Sequence, residues 1–354
     1  MRQLLLILAV IFVWGVVPAF AVTEVSSCDA PSYSGDGILT GDLDCTATPL
    51  FLRITPTGSL DFQGFTLTNV VIVCGDQWSF SSARCNLYGP GTLVGGITTE
   101  RKVNLRDLDI INGSVHARRA KAENVSFTFT GPTPNLCAFD MFQVQNQSRL
   151  KMRNVSIDGG KCGVAADGVA VRAFNVKITN SAGFGIDQHD EGFRSSLIVK
   201  DSIVSSNGSL GIRGTRVRVF RSTITNNGGD GVLGGEVGEN SFFGAVRIEK
   251  CTITGNRVGV DSYGSSSFKR TRVRRSTISG NAVFGIQSHR APTTITNSTV
   301  TGNGTSSECD VTQACADIAA FADVPKVSRN TTCDTSYEIN SGIPGSTLGI
   351  CSLD

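Results

Sequence analysis

The sequence predicts an all-β fold of the solenoid kind, in which short repeats wind into coils that stack on one another. A self-similar phrase recurs: "NVSIDGG" at Asn154, "NVKITNS" at Asn175, "DSIVSSN" at Asp201, "RSTITNN" at Arg221, "KCTITGN" at Lys250, "RSTISGN" at Arg275 and "NSTVTGN" at Asn297. The starts lie 21, 26, 20, 29, 25 and 22 residues apart. A period in the twenties built on short β-branched runs is a stack of one coil per repeat. Within the phrase, Val155, Val176, Ser202, Ser222, Cys251, Ser276 and Ser298 alternate with Ile157, Ile178, Val204, Ile224, Ile253, Ile278 and Val300, two residues on. Both columns therefore face inward, and the threonines between them, such as Thr223, Thr252 and Thr277, face outward. The seventh position carries Asn207, Asn227, Asn256, Asn281 and Asn303 on five consecutive repeats. Asparagine tolerates left-handed turns and can hydrogen-bond along a stack, so an internal amide ladder is expected there.

At the N-terminus, Arg2 precedes the apolar run "LLLILAVIFVWGVV" and the small residues Ala19 and Ala21. This reads as a secretory signal peptide over residues 1–21, cleaved after Ala21. No later run is long and apolar enough for a membrane helix, so the expected location is secreted, periplasmic or cell surface. The formal charge is +2, or +1 without Arg2, and by itself selects no partner.

Residues 22–306 are expected to be the β-helix, its first coils formed by stretches such as "GSLDFQGFTLTNVVIVC" and "VNLRDLDIINGS". Residues 307–354 depart from the repeat and carry four cysteines, which fits a disulfide-rich C-terminal cap over the exposed end of the stack. Ten of the 11 cysteines fall as near neighbours, Cys28/Cys45, Cys74/Cys85, Cys137/Cys162, Cys309/Cys315 and Cys333/Cys351, which in an oxidising compartment read most simply as five local disulfides, although sequence does not fix the connectivity. Cys251 is left over and belongs to the buried small-residue column. No CxxC or Cys/His cluster has zinc spacing, and no calcium nonapeptide repeats. No cofactor is expected; calcium is conceivable but not indicated.

Each coil continues with a Gly-aliphatic step (Gly185-Ile186, Gly211-Ile212, Gly231-Val232, Gly259-Val260, Gly285-Ile286), a variable loop and a further strand such as "RVRVF" or "AVRIE". In this the chain resembles the right-handed parallel β-helix superfamily of pectate lyases, alginate-modifying enzymes and polygalacturonases, closely over residues 154–303 and loosely over residues 36–153. The resemblance implies a right-handed β-helix and leaves the chemistry open, because one fold hosts many activities.

The variable loops leave one edge of the coil and gather chemistry-bearing residues along one wall. Counted from each glycine, the third residue is Ala165, Asp187, Arg213, Leu233, Asp261 and Gln287, and the fifth is Asp167, His189, Thr215, Gly235, Tyr263 and His289. An acid, an imidazole and a guanidinium on neighbouring rungs suit proton removal beside a sugar carboxylate: Arg213 to neutralise it, His189 as base, Asp167 or Asp187 to orient or relay. The segment Phe184-Gly185-Ile186-Asp187-Gln188-His189-Asp190 also resembles the Tyr-Gly-Phe-Asp-Pro-His-Glu motif of secreted mannuronan C5-epimerases, which implies catalytic roles for Asp187 and His189. Here Phe184 replaces the family tyrosine, and Thr215 stands where an aspartate is expected one coil later. Tyr263, His289 and Arg290 are candidate substrate contacts, although His289 reads more readily as an exposed loop histidine, and so does His116, which has no visible partner.

An outward column four residues before the second repeat position reads Lys151, Arg172, Ile198, Arg218, Arg247, Arg272 and Thr294. Stacked like charges repel unless something screens them, and an acidic glycan lying along the helix would do so. The expected partner is an acidic polysaccharide bound by Lys151, Arg172, Arg218, Arg247 and Arg272. Nucleic acid is not expected, since no recognised nucleic-acid motif is present, and the chain is expected to be monomeric. Two further classes stay open: a non-catalytic glycan-binding solenoid, and a neutral-glycan hydrolase using a pair from Asp167, Asp187 and Asp190.

Overall fold

The computed structural model describes residues 22–29, 32–46, 50–75, 84–131, 135–142, 148–188, 195–235, 245–264, 270–305, 315–321, 324–339 and 348–352. The proposed signal peptide, His189 and Asp190 lie outside them. Among the described residues every regular element is a strand, and each recorded pairing is parallel, as a coil stacked on the next coil requires.

From residue 97 onward each coil contributes to three sheets. Sheet A contains Cys137–Met141, Cys162–Ala166, Ile186–Gln188, Ile212–Gly214, Val232–Gly234, Val258–Tyr263, Phe284–His289 and Ala316–Phe321. Sheet B contains residues 102–106, 119–123, 149–153 and 170–174, then Leu197–Lys200, Arg216–Phe220, Ala245–Glu249, Thr271–Arg274 and Thr293–Thr296. Sheet C holds the recurring phrase, as in Thr223–Thr225, Thr252–Thr254 and Thr277–Ser279.

The alternation expected from sequence is present: Ile224, Ile253, Ile278 and Val300 are buried, while Thr252 and Thr277 are exposed. The corner from sheet B to sheet C is a left-handed residue on each coil, Asn154, Asn175, Asp201, Arg221, Lys250, Arg275 and Asn297, all with φ between 46° and 57°. The next residue turns inward. On successive coils the hydroxyls of Ser202, Ser222, Ser276 and Ser298 each donate to the carbonyl two residues before, and Cys251 Sγ does the same to Glu249 O at 3.3 Å. Cys251 is thus a buried member of a hydroxyl column, and burial pushes its thiol pKa up.

The corner from sheet C to sheet A carries the amide ladder. Each side-chain NH2 donates to the next coil's amide oxygen, at 2.8 Å from Asn207 to Asn227, 2.9 Å to Asn256, 3.2 Å to Asn281 and 2.8 Å to Asn303. The same oxygens accept backbone N–H groups, so buried donors on both coils are satisfied together. The ladder ends on Asp317, whose carboxylate accepts Asn303 Nδ2 at 2.8 Å and the backbone N–H groups of Asp334 and Thr335. Space decides the Gly-aliphatic step: a Cβ on Gly211 would sit 2.6 Å from Gly231 O and 2.9 Å from Asn227 Nδ2.

Four of the five inferred disulfides link described residues, Cys28–Cys45, Cys74–Cys85, Cys137–Cys162 and Cys333–Cys351. Cys315 is also disulfide-bonded, and Cys309 lies outside the described residues. The cysteine-rich end is built on one more coil: Ala316–Phe321, Lys326–Val327 and Thr332–Cys333 pair in register with the three sheets before Ser336–Glu338 closes the end.

Candidate functional site

The outer surface of sheet A carries one continuous column, because the register passes through His116, Asp140, Ala165, Asp187, Arg213, Leu233, Asp261, Gln287 and Ala319. Asp187 and Arg213 are thereby placed on adjacent rungs. Arg213 grips the carboxylate at both ends, Nε to Oδ1 and Nη2 to Oδ2, each at 2.5 Å. Asp187 is buried, and its partner guanidinium is partly exposed. This bidentate geometry already balances the charge of Arg213, leaving less of it for a sugar carboxylate. Asp167 stands exposed in the turn after Cys162–Ala166, two residues beyond the rung partner of Asp187.

Five rungs from Asp140, a second constellation forms where the sequence assigned only contacts. Tyr263 and His289 are opposite each other in register and stack with ring centroids 4.1 Å apart, and Phe321 stacks on the far face of His289 at 4.3 Å. His289 is therefore not the exposed loop histidine that sequence suggested. It ends the strand Phe284–His289, with its side chain 19% exposed and Nε2 lying 3.2 Å from Asp261 Oδ1. That contact has ion-pair distance without hydrogen-bond alignment. Asp261 is buried as well, and the Tyr263 hydroxyl bonds to it; burial and this carboxylate push the Tyr263 pKa up.

Asp230, in the "GDGV" turn one coil earlier, joins the group electrostatically. Burial, reinforced by the Asp261 charge and opposed by Arg257 and His289, pushes its pKa up to about 7. The sequence places Asp261 in the third-residue column without assigning it a role, and Asp230 stands in "GDGV", which has the composition of an ordinary turn. His116, too, has a partner after all: Nδ1 is 3.0 Å from Asp140 Oδ2, and its ring stacks on Phe142 at 4.6 Å. The sequence separation of 24 residues hides that pair.

The basic column lies on sheet B, away from this wall. Lys151, Arg172, Ile198, Arg218, Arg247, Arg272 and Thr294 are partners in unbroken register, extended by Lys121 before and Lys326 after. Lys151, Arg172, Arg218 and Arg272 are exposed. The next outward column carries Phe174, Lys200, Phe220, Glu249 and Arg274; Lys200 lies over the Phe174 ring and Arg247 over the Phe220 ring at 5.3 Å. Arg247 also donates to Glu249 at 2.7 Å, a bond that holds the Glu249 carboxyl below its usual pKa. At the C-terminal end the two columns border a cavity of about 730 Å³, with Arg247, Arg272, Arg274 and Arg329 on its walls and Glu249 as its carboxylate. Arg290 is exposed and left-handed, one residue past His289 on the sheet A side.

No group of His, Cys, Asp and Glu among the described residues could hold a metal ion, and no helix among them is long and apolar enough to cross a membrane.

The family model for right-handed β-helix regions matches residues 140–303, and the fold of the chain is a right-handed parallel β-helix. Among solved structures, the A-module of mannuronan C-5 epimerase AlgE6 from Azotobacter vinelandii is similar at 13% identity and a TM-score of 0.40, over 81% of this chain and 80% of that one. The periplasmic alginate epimerase AlgG is similar at 10% identity and a TM-score of 0.33, over 84% and 78%. The receptor-binding tailspike of bacteriophage Det7 is similar at 10% identity and a TM-score of 0.32, over 88% and 69%. No curated protein matches the sequence.

Proposed function

We propose that the protein is an exported β-helix that binds an acidic polysaccharide along the outer surface of sheet B. The observation that carries this reading is the in-register cation column, Lys151 and Arg172, then Arg218, Arg247 and Arg272, ending in the arginine-walled cavity. A parallel β-helix repeats every ~4.8 Å, so one cation per rung offers a periodic match to a polymer with one carboxylate per sugar. The half-exposed Phe174 and Phe220 add apolar surface beside the cations for the faces of sugar rings.

Chemical modification of the bound uronate is a second reading, favoured by the sheet A wall. In its first form His189 is the base, Asp167 and Asp187 orient or relay, and Arg213 neutralises. The cluster of Asp230, Asp261, Tyr263 and His289 supplies an alternative acid–base centre, because a carboxyl group that titrates near neutrality, gathered with a second carboxyl, a phenol and an imidazole, suits proton transfer.

One experiment addresses both. Oligogalacturonate, oligomannuronate and a neutral glucan are titrated into the purified protein and into Arg218→Gln/Arg272→Gln, while ultraviolet absorbance and proton NMR follow unsaturated or epimerised products. Salt-sensitive binding of the uronates that falls at least tenfold in the variant is expected. Equal affinity for the neutral glucan, or undiminished binding in the variant, removes the binding reading. Product formation that survives both His189→Ala and His289→Gln removes both centres.

A further inference from the structure

The cation column is interrupted at Ile198, and on the N-terminal side of that break sheet B carries more positive charge than one column supplies. Arg84, Lys102, Arg119 and Arg149 are register partners on four successive coils, forming a second outward column two residues upstream of Lys121 and Lys151. The residues between the columns, Val103, Ala120 and Leu150, are buried, so all six cations emerge on the same surface. Neither column contains a carboxylate. Glu123, one position further along, is already bonded to Lys121 at 2.9 Å.

The crowding has a measurable consequence at its centre. Burial pushes the Lys102 pKa down, and Arg84, Lys121, Arg119 and Lys151 push it down further. A bound anion would relieve that repulsion, and the relief adds to its own attraction. Six cations over four rungs, about 14 Å at ~4.8 Å per rung, exceed the charge of a polymer with one carboxylate per sugar even with the Lys121 charge shared with Glu123. They match a chain carrying two or more anionic groups per sugar on both sides of its axis.

We propose that this bank is a second binding site, selective for a sulfated polysaccharide and distinct from the arginine-walled cavity beyond Ile198. Four of its cations, Arg84, Lys102, Arg119 and Arg149, lie outside the column that carries the uronate reading, while Lys121 and Lys151 belong to that column as well, so within the bank the test varies only residues from the first four.

The test uses the full chain and three probes of equal length: dextran sulfate, oligogalacturonate and linear polyphosphate. They are compared in the wild type, Lys102→Gln/Arg149→Gln, Arg84→Gln/Arg149→Gln and Arg272→Gln/Arg274→Gln, with folding checked by circular dichroism. Dextran sulfate should bind the first two variants at least tenfold more weakly, with the slope of log affinity on log salt reduced by roughly one per cation removed. Oligogalacturonate should be unaffected in those variants and weakened in the third. Dextran sulfate affinity that survives both bank variants overturns the proposal. So does a parallel loss of oligogalacturonate, which would mean one continuous face, or polyphosphate binding of equal strength and sensitivity, which would mean a site for any dense polyanion.

Discussion

Single residues show what a stacked fold does to side-chain chemistry. Asp230 looks like a turn residue in "GDGV", yet its pKa is pushed up to about 7, first by burial and then by the Asp261 charge. Its unfolded value is near 3.8, so between those two values the folded state binds the extra proton. Stability from this group is therefore fully present below pH 3.8 and is lost as pH rises through 7. Asp230→Asn keeps the neutral form at every pH: its melting curve should match the wild type near pH 4 and rise above it by about 2–4 °C at pH 8. Melting temperatures that stay parallel from pH 4 to 8 would show that Asp230 is not the group responsible. Tyr263 and His289 illustrate the same point without a pH signal, since they touch only because two coils align across 26 residues of chain.

At the scale of elements, the corners were more legible than the loops. The asparagine column was visible in sequence because a corner repeats its chemistry every coil, and the structure adds that Asp317 terminates it. Asn256 shows the cost of breaking the ladder: its oxygen accepts Asn227 N at 3.1 Å and Nδ2 at 2.9 Å, and its NH2 reaches Asn281, Ile224 O and Thr254 O. Asn256→Ala should destabilise by about 2–4 kcal/mol, because buried donors on the previous coil lose their acceptor. The exposed Thr277→Ala, one coil on, should change stability by less than about 0.5 kcal/mol. Urea denaturation of the two variants would decide, and equal midpoints would mean that the ladder is ornamental to stability. The variable loops repeat nothing, so the residues that follow sheet A could be gathered on one wall from sequence but not paired there.

For the whole molecule, stability follows from the stack: each coil is held by its neighbours, and the two ends have one neighbour fewer. Among the described residues, Cys28–Cys45 and Cys74–Cys85 lie before the regular repeats, Cys137–Cys162 ties their first coil to the one before it, and Cys333–Cys351 lies after them. Reduction should accordingly raise amide exchange in the first coils and in residues 315–339, and leave residues 200–303 protected. Uniform loss of protection along the chain would show instead that the helix unfolds as one unit. The sequence by itself determined the repeat, the inward and outward columns and the amide ladder, because each is written in a periodic pattern, and it offered near-neighbour cysteine pairs whose connectivity the structure supplied. Only the tertiary structure decided that Arg213 is spent on Asp187, that His289 lies between two aromatic rings beside Asp261, and that two cation columns run side by side before Ile198. Those facts depend on which outward side chains meet across neighbouring coils. That pairing is set by backbone register over some 20 to 30 residues of intervening chain, whose variable length hides it from any local reading.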